Sequence, residues 1–278
     1  MRVVTPGRVF SLAVGFPGPS RADAHREAGR SAPRAGVVRN GRSVCYDGRC
    51  RPSEGAKMSE KSGAFAGGPL RRRPTSHERK SGEPWDASYR NGPAPWDIGR
   101  PQPAIVRLAS AGAFDGAVLD AGCGTGENAL HIAALRVAAL PVLGVDVAET
   151  ALAIARKKAL ERAVEIEFAA ADALFLERLE RRFQTVLDCG LFHAFDDEER
   201  TRYAASLASV TERGGTLYVL CFSDEGLDTG PHPVGREELR AAFHPGRGWD
   251  VVRVKPERIE TRYHASGAPA WLAEIKRI

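Results

Sequence analysis

From residue 117 onward the chain sets short apolar runs, bounded by Gly, Asp or Pro, between longer stretches in which apolar residues recur at helical spacing. The runs 117–121, 142–147, 166–170, 185–189 and 216–222 are apolar or β-branched and predict strands. The stretches 125–138, 149–162, 174–181 and 196–210 predict the helices between them. A parallel strand pair needs a crossover, and crossovers are right-handed, so this alternation implies a parallel sheet covered on both faces. The expected fold class is α/β: a single doubly wound, mostly parallel, Rossmann-like sheet. Two later runs, 250–254 and 270–275, are separated by loop-like sequence and predict an antiparallel hairpin at the C-terminal sheet edge. No internal repeat is visible.

The first eighty residues lack any such period. They are rich in Arg, Gly, Ser, Ala and Pro and cannot bury enough apolar area to offset the entropy of ordering them. The expected organisation is a disordered basic tail over 1–80, an N-terminal lid segment over 81–116 and a folded domain over 117–278. An apolar run at 9–16 is too short, and too broken by Gly15, for a good signal peptide; an Arg-rich transit peptide is the other targeting alternative. Met58 is the only methionine besides Met1, and Ser59-Glu60-Lys61 makes a normal polar start, so residues 1–57 are a candidate over-extended gene start.

Composition sharpens this division. The chain has 278 residues, 43% of them hydrophobic, which suits one enzyme-sized domain with an appendage. Its net charge of +5 is uneven: residues 1–80 carry 17 Lys/Arg against 6 Asp/Glu, hence +11, which leaves −6 for the rest. An acidic domain lacks the cations that a duplex requires, so nucleic acid is not an expected partner. The five cysteines are odd in number, and Cys123, Cys189 and Cys221 lie in or beside apolar runs, as reduced cytoplasmic thiols do. Cys45 and Cys50 have no second Cys/His pair at zinc-ligand spacing, so no metal is expected. Apolar runs end well short of eighteen residues, which argues against a membrane span.

In doubly wound sheets ligands bind beyond the carboxyl ends of the strands, and the distinctive residues cluster there. The first strand is followed by Asp120-Ala121-Gly122-Cys123-Gly124-Thr125-Gly126-Glu127. Gly122 and Gly124 supply a tight turn and close backbone approach at a helix N-terminus. A dinucleotide fingerprint needs glycine where Glu127 stands, and a carboxylate there would repel a pyrophosphate. Asp146 follows the second strand, placed to bond both hydroxyls of a ribose, and Asp172 follows the third, placed to accept from an adenine amino group. Singly each acid reads as a turn or cap; together with the glycine turn they outline an adenosine joined to a cation.

These residues resemble the class I S-adenosylmethionine-dependent methyltransferases over about residues 84–278. By that resemblance Asp120, Gly122, Cys123 and Gly124 border the methionine part of S-adenosyl-L-methionine, Asp146 with Val147 the ribose, and Asp172 with Ala173 the adenine. Trp85, Tyr89, Gly92 and the run Pro95-Trp96-Asp97-Ile98-Gly99-Arg100-Pro101-Gln102-Pro103 resemble the lid of the thiopurine, thiol and halide branch, which would pack Trp96 over the cofactor. The same run, with the segment from Asp188 to Phe195, is similar to small bacterial quinolone and quinone methyltransferases.

Methyl transfer from a sulfonium asks the protein mainly to position and to exclude water. A thiol or acidic phenol arrives ionised; an aliphatic hydroxyl needs a base, for which His193 is the candidate, with Asp188 as its orienter or a contact for the methionine ammonium. Leu191, Phe192 and Phe195, the lid and the insertion 223–234 are expected to close an acceptor pocket for a flat or soft small molecule. Three alternatives stand beside this. Nucleic-acid or protein methylation lacks its Asn/Asp-Pro-Pro-aromatic tetrad after the fourth strand, NAD-dependent oxidation is opposed by Glu127, and a non-catalytic binding module is opposed by the intact acids. Oligomeric state is open.

Overall fold

A computed structural model describes residues 72–135, 141–226 and 232–278. Seven strands form one mixed sheet: β1 (Val118–Ala121), β2 (Val142–Asp146), β3 (Glu167–Ala170), β4 (Phe183–Cys189), β5 (Thr211–Phe222), β6 (Trp249–Ile259) and β7 (Ala268–Arg277). Their order is β3-β2-β1-β4-β5-β7-β6. The first five run parallel, and β7 enters antiparallel between β5 and β6. The α/β sheet and its C-terminal hairpin are thus as expected from the apolar runs.

Alternation along the strands splits the core into two layers. Leu119, Leu143, Val186, Leu217 and Val219 face one of them, while Val118, Val142, Leu187, Tyr218 and Leu220 face the other. Strands buried on both faces read as nearly continuous apolar runs, which is why these were legible. The helices α3 (Pro103–Ser110), α4 (Glu127–Ala133) and α5 (Glu149–Arg162) cover the second layer. The first is covered by α6 (Asp197–Val210) and α7 (Arg236–Ala242). Trp249 and Trp271 are fully buried in that first layer, and each indole N–H has a partner, the carbonyls of Ala204 and Val234. Full burial of a large apolar side chain contributes on the order of 2–3 kcal/mol, provided such polar atoms are satisfied.

Several boundaries differ from expectation for local reasons. The helix expected over 174–181 is a 3₁₀ segment, Ala173–Leu179, broken at Phe175 (φ −144°). β5 begins at Thr211, ahead of the Gly214-Gly215 pair, where the register to β4 shifts. The helix expected over 125–138 starts at Glu127, because Gly126 takes a left-handed N-cap conformation. Residues 72–80, assigned to the tail by composition, instead enter the fold. Thr75-Ser76-His77-Glu78 forms a reciprocal capping box that opens α1 (Ser76–Ser81), and a second short helix, α2 (Ala87–Arg90), follows. The expectations for 1–71, including Cys45, Cys50 and the start at Met58, lie outside the described residues, as do 136–140 and 227–231. No helix among the described residues is long and apolar enough to cross a membrane.

Candidate active site

The turn after β1 is stitched to the end of β2. The N–H groups of Gly122 and Cys123 both donate to the Val145 carbonyl, at 2.8 and 2.9 Å, and the Gly124 N–H donates to Asp146 Oδ2 at 2.8 Å. Gly124 holds φ at 54°, and a Cβ there would stand 3.1 Å from the Tyr89 hydroxyl; one on Gly122 would stand 2.9 Å from Leu191 Cδ2. The loop needs glycine for backbone conformation and for headroom alike.

Above this loop, at the carboxyl ends of β1 to β4, lies a cavity of about 390 Å³. Gly122, Cys123 and Gly124 line it after β1, Asp146 and Val147 after β2, and Asp172 and Ala173 after β3. Three strand ends therefore converge on one space, between β1 and β4 where the strand order reverses direction. Trp96, Leu191, His193 and Phe195 line it too.

Three expected residues do not reach the wall. Phe192 is fully buried against Phe243, with ring centroids 5.5 Å apart, because the 3₁₀ turn Phe192–Ala194 rotates it into the core. Asp188 is fully buried, and its Oδ1 accepts from the N–H groups of Leu191 and Phe192, so it shapes the post-β4 turn and does not orient His193. Asp120 is 1% exposed, and neither carboxylate oxygen has a hydrogen-bond partner among the described residues.

Burial governs the electrostatics of these acids. It pushes Asp120 up to about 7, helped by the neighbouring charges of Asp188 and Asp146, and it pushes Asp188 up to about 7 as well. Asp146 is raised by burial against the opposing N–H bonds of Ala148 and Gly124. Asp172 is raised by burial, and its Oδ1 accepts from the Leu174 N–H at 3.0 Å. Buried carboxylates kept high by desolvation and partnered mainly by backbone N–H groups gain from a cation nearby, so the set fits an adenosine carrying positive charge.

Glu127 needs a different account from the one its position implied. Lys158 and Arg162 bind it at 2.8 Å each, and although burial opposes ionisation, these partners hold its pKa below the ordinary glutamate value. Its charge is locally cancelled. Repulsion by Glu127 is therefore no reason to exclude a pyrophosphate.

His193, the candidate base, is held by its Nδ1, which accepts the Phe222 N–H at 3.1 Å, while the ring lies tilted against Phe222 with centroids 4.3 Å apart. Burial lowers its pKa to about 3, with Arg200, His77 and His232 adding to the effect. A neutral ring whose Nδ1 accepts carries its proton on Nε2 and cannot accept another there.

Two walls have no counterpart in the expected site. Arg72, Thr75 and His77 line the cavity from the N-terminal side, and on the other side lie Ile259, at the end of β6, and Thr261, Tyr263 and His264 of the loop to β7. The second wall is clasped to the segment 95–102. Gln102 donates to the Glu260 carbonyl at 2.8 Å and accepts the Glu260 N–H at 2.9 Å, the Arg262 N–H donates to the Pro95 carbonyl at 2.8 Å, and Arg100 pairs with Glu260 at 2.5 Å. The capping-box spacing at 75–78 was the available signal for the first wall; nothing local announces the second.

Comparison with known proteins accords with this geometry. Residues 118–215 match the family model described as a methyltransferase domain. The chain is 36% identical over 169 residues to the 2-heptyl-1-hydroxyquinolin-4(1H)-one methyltransferase of Mycobacteroides abscessus, covering 59% of this chain and 72% of that one. It is 32% identical to the probable thiol methyltransferase 2 of Arabidopsis thaliana, covering 61% and 75%. Among solved structures, one from work on the conversion of a disulfide bond into a thioacetal group during echinomycin biosynthesis is 37% identical with a TM-score of 0.61, covering 69% of this chain and 91% of that one.

Proposed function

The chain belongs to the S-adenosylmethionine-dependent methyltransferases, and from that premise we propose that it methylates a small aromatic hydroxyl, such as a quinolone or quinol, or a thiol or thiopurine-like acceptor. The observation that carries this reading is the convergence of Gly122, Asp146 and Asp172 on one cavity that Trp96, Leu191, Phe195, Phe222 and Ile259 also line. In it, Asp172 and Ala173 hold the adenine, Asp146 and Val147 the ribose, and Gly122, Cys123 and Gly124 the methionine part. Asp120 and Asp188 act on the ligand's cationic end through their field, from behind the wall. S-adenosyl-L-methionine, once bound, supplies an activated methyl group, and the chain supplies position and dryness.

The lid comprises residues 72–102. Trp96 closes over the cofactor, while Leu191 and Phe195 face the acceptor with Phe222 and Ile259 beside them. The free thiols Cys123, Cys189 and Cys221 suit a reducing cytoplasm.

Thermal-shift titration with S-adenosylmethionine and S-adenosylhomocysteine, followed by methylation assays on hydroxyquinolones, hydroquinones, thiols and thiopurines, tests the reading. Stabilisation by both ligands and a methylated product from one class is the expected result. Stabilisation without any product across the panel would leave a binding module in its place.

A further inference from the structure

His193 stands where the β4–β5 ladder runs out. The Gly190 N–H still donates to the Leu220 carbonyl at 2.9 Å, but Gly190 then turns away with φ at 95°. In a parallel ladder the next acceptor for the Phe222 N–H would be the carbonyl of residue 190. The imidazole takes that role, so the Nδ1 lone pair is committed to the backbone. Among the described residues the ring's hydrogen bond is the one at Nδ1, and the side chain lines the cavity, where Nε2 is left for a ligand.

We infer that His193 is a fixed Nε2–H donor that grips an oxygen of an acceptor arriving already as an anion, and that the site therefore serves aromatic oxyanions in preference to thiolates. The inference rests on the methyltransferase reading above and names the acceptor class within it. The charged and titratable neighbours that act on the ring oppose its protonation: Arg200 from α6, His77 from α1 and His232 ahead of α7. Taking a proton at Nδ1 would also cost the Phe222 hydrogen bond in a buried setting. The acceptor's proton has gone to solvent before binding. One carbon–oxygen bond then forms as one carbon–sulfur bond breaks, the electron pair stays on sulfur, and the oxyanion's charge cancels the sulfonium's. No side chain receives a proton. The Nε2–H bonds the reacting oxyanion or an oxygen conjugated to it; sulfur is a poor partner for such a donor.

The tautomer is measurable without turnover. Long-range ¹H–¹⁵N spectra of the protein with S-adenosylhomocysteine are expected to place the His193 proton on Nε2, unchanged between pH 5 and 8; a proton on Nδ1, or titration in that range, overturns the inference whatever the acceptor. With hydroxyquinolines or phenols of graded acidity, the rising limb of kcat/KM against pH is expected to move with the acceptor's own pKa. A limb fixed near pH 6–7 for every acceptor and lost in His193→Gln would make the residue a base.

His193→Ala is expected to lower kcat/KM for hydroxyl acceptors by about tenfold to a hundredfold, the usual worth of one hydrogen bond to a charged group, with His193→Gln restoring most of it and thiol acceptors indifferent. Equal losses for hydroxyl and thiol acceptors, or loss of S-adenosylhomocysteine binding in both variants, would make the residue structural. Absence of any product from the unaltered protein would instead strike at the methyltransferase reading, which the spectra do not depend on.

Discussion

The indole N–H of Trp96 donates to the hydroxyl of Tyr89 at 2.8 Å. Tyr89 is itself buried directly over Gly124, so the outer aromatic of the N-terminal segment is tied through the inner one to the glycine turn. Removing the hydroxyl with Tyr89→Phe should weaken S-adenosylhomocysteine binding by a few fold. Trp96→Phe should do the same, and the double variant should lose less than the sum, with coupling of about 1 kcal/mol in a calorimetric double-mutant cycle. Full additivity would mean that the two rings act independently.

Gly124→Ala tests the turn from the other side. A side chain at φ 54° is strained, and its Cβ would press the Tyr89 oxygen at 3.1 Å, so the lid must lift or the loop must shift. Cofactor affinity should fall by at least tenfold by calorimetry.

Cofactor affinity should also depend on pH through Asp120 and Asp188. In the free protein burial holds both near 7, so below that pH a bound cation must expel a proton to find a carboxylate. Affinity for S-adenosylmethionine should rise with pH up to about 7 and level off above, by at most about tenfold per unit for each group. Calorimetry in buffers of differing ionisation enthalpy should detect proton release at pH 6. Asp120→Asn should flatten the slope; an unchanged slope would remove Asp120 from the coupling.

Glu127→Gln should act on stability and leave cofactor affinity largely intact. The carboxylate is mostly buried, while its partner Arg162 is partly exposed, so the loss should be about 1–2 kcal/mol, between the limits for exposed and buried pairs. Its pKa is depressed in the fold, so the contribution is present above the ordinary glutamate value and disappears as pH falls through the folded one. Chemical denaturation at pH 7 and pH 3 should show the variant's deficit shrinking at the lower pH.

Glu78 organises the N-terminal segment, accepting from Arg72, the Thr75 N–H and the Trp85 N–H. Glu78→Ala should accelerate hydrogen exchange over residues 72–100 and weaken cofactor binding, while exchange in β1, β4 and β5 stays slow. Uniform acceleration would show that the segment and the sheet unfold together.

What the sequence revealed follows the physics of each element. Buried parallel strands announce themselves locally, and Gly122, Asp146 and Asp172 were findable because ligands sit past strand ends. α1 was not, since its Arg-rich surroundings hide it and its anchor is distant: the Ser76 hydroxyl donates to Glu199 at 2.6 Å across the fold. Phe192 and Phe195 are three residues apart, yet only Phe195 faces the cavity, because the 3₁₀ turn ends at Ala194 and Phe195 is already extended (φ −101°, ψ 143°). Gly214-Gly215 reads as a strand break but is a bulge inside β5. The orientation of the His193 ring depends on a backbone N–H 29 positions away.

β7 is the last strand in chain order but an interior strand of the sheet, with Trp271, Leu272, Ala273 and Ile275 fully packed. During synthesis, β6 therefore has no neighbour to pair with until β7 has left the ribosome and slid between it and β5. A nascent chain stopped near residue 260 would own the glycine turn and its acids yet lack Thr261, Tyr263 and His264 of the far wall, so the cavity closes only in the same step that completes the sheet.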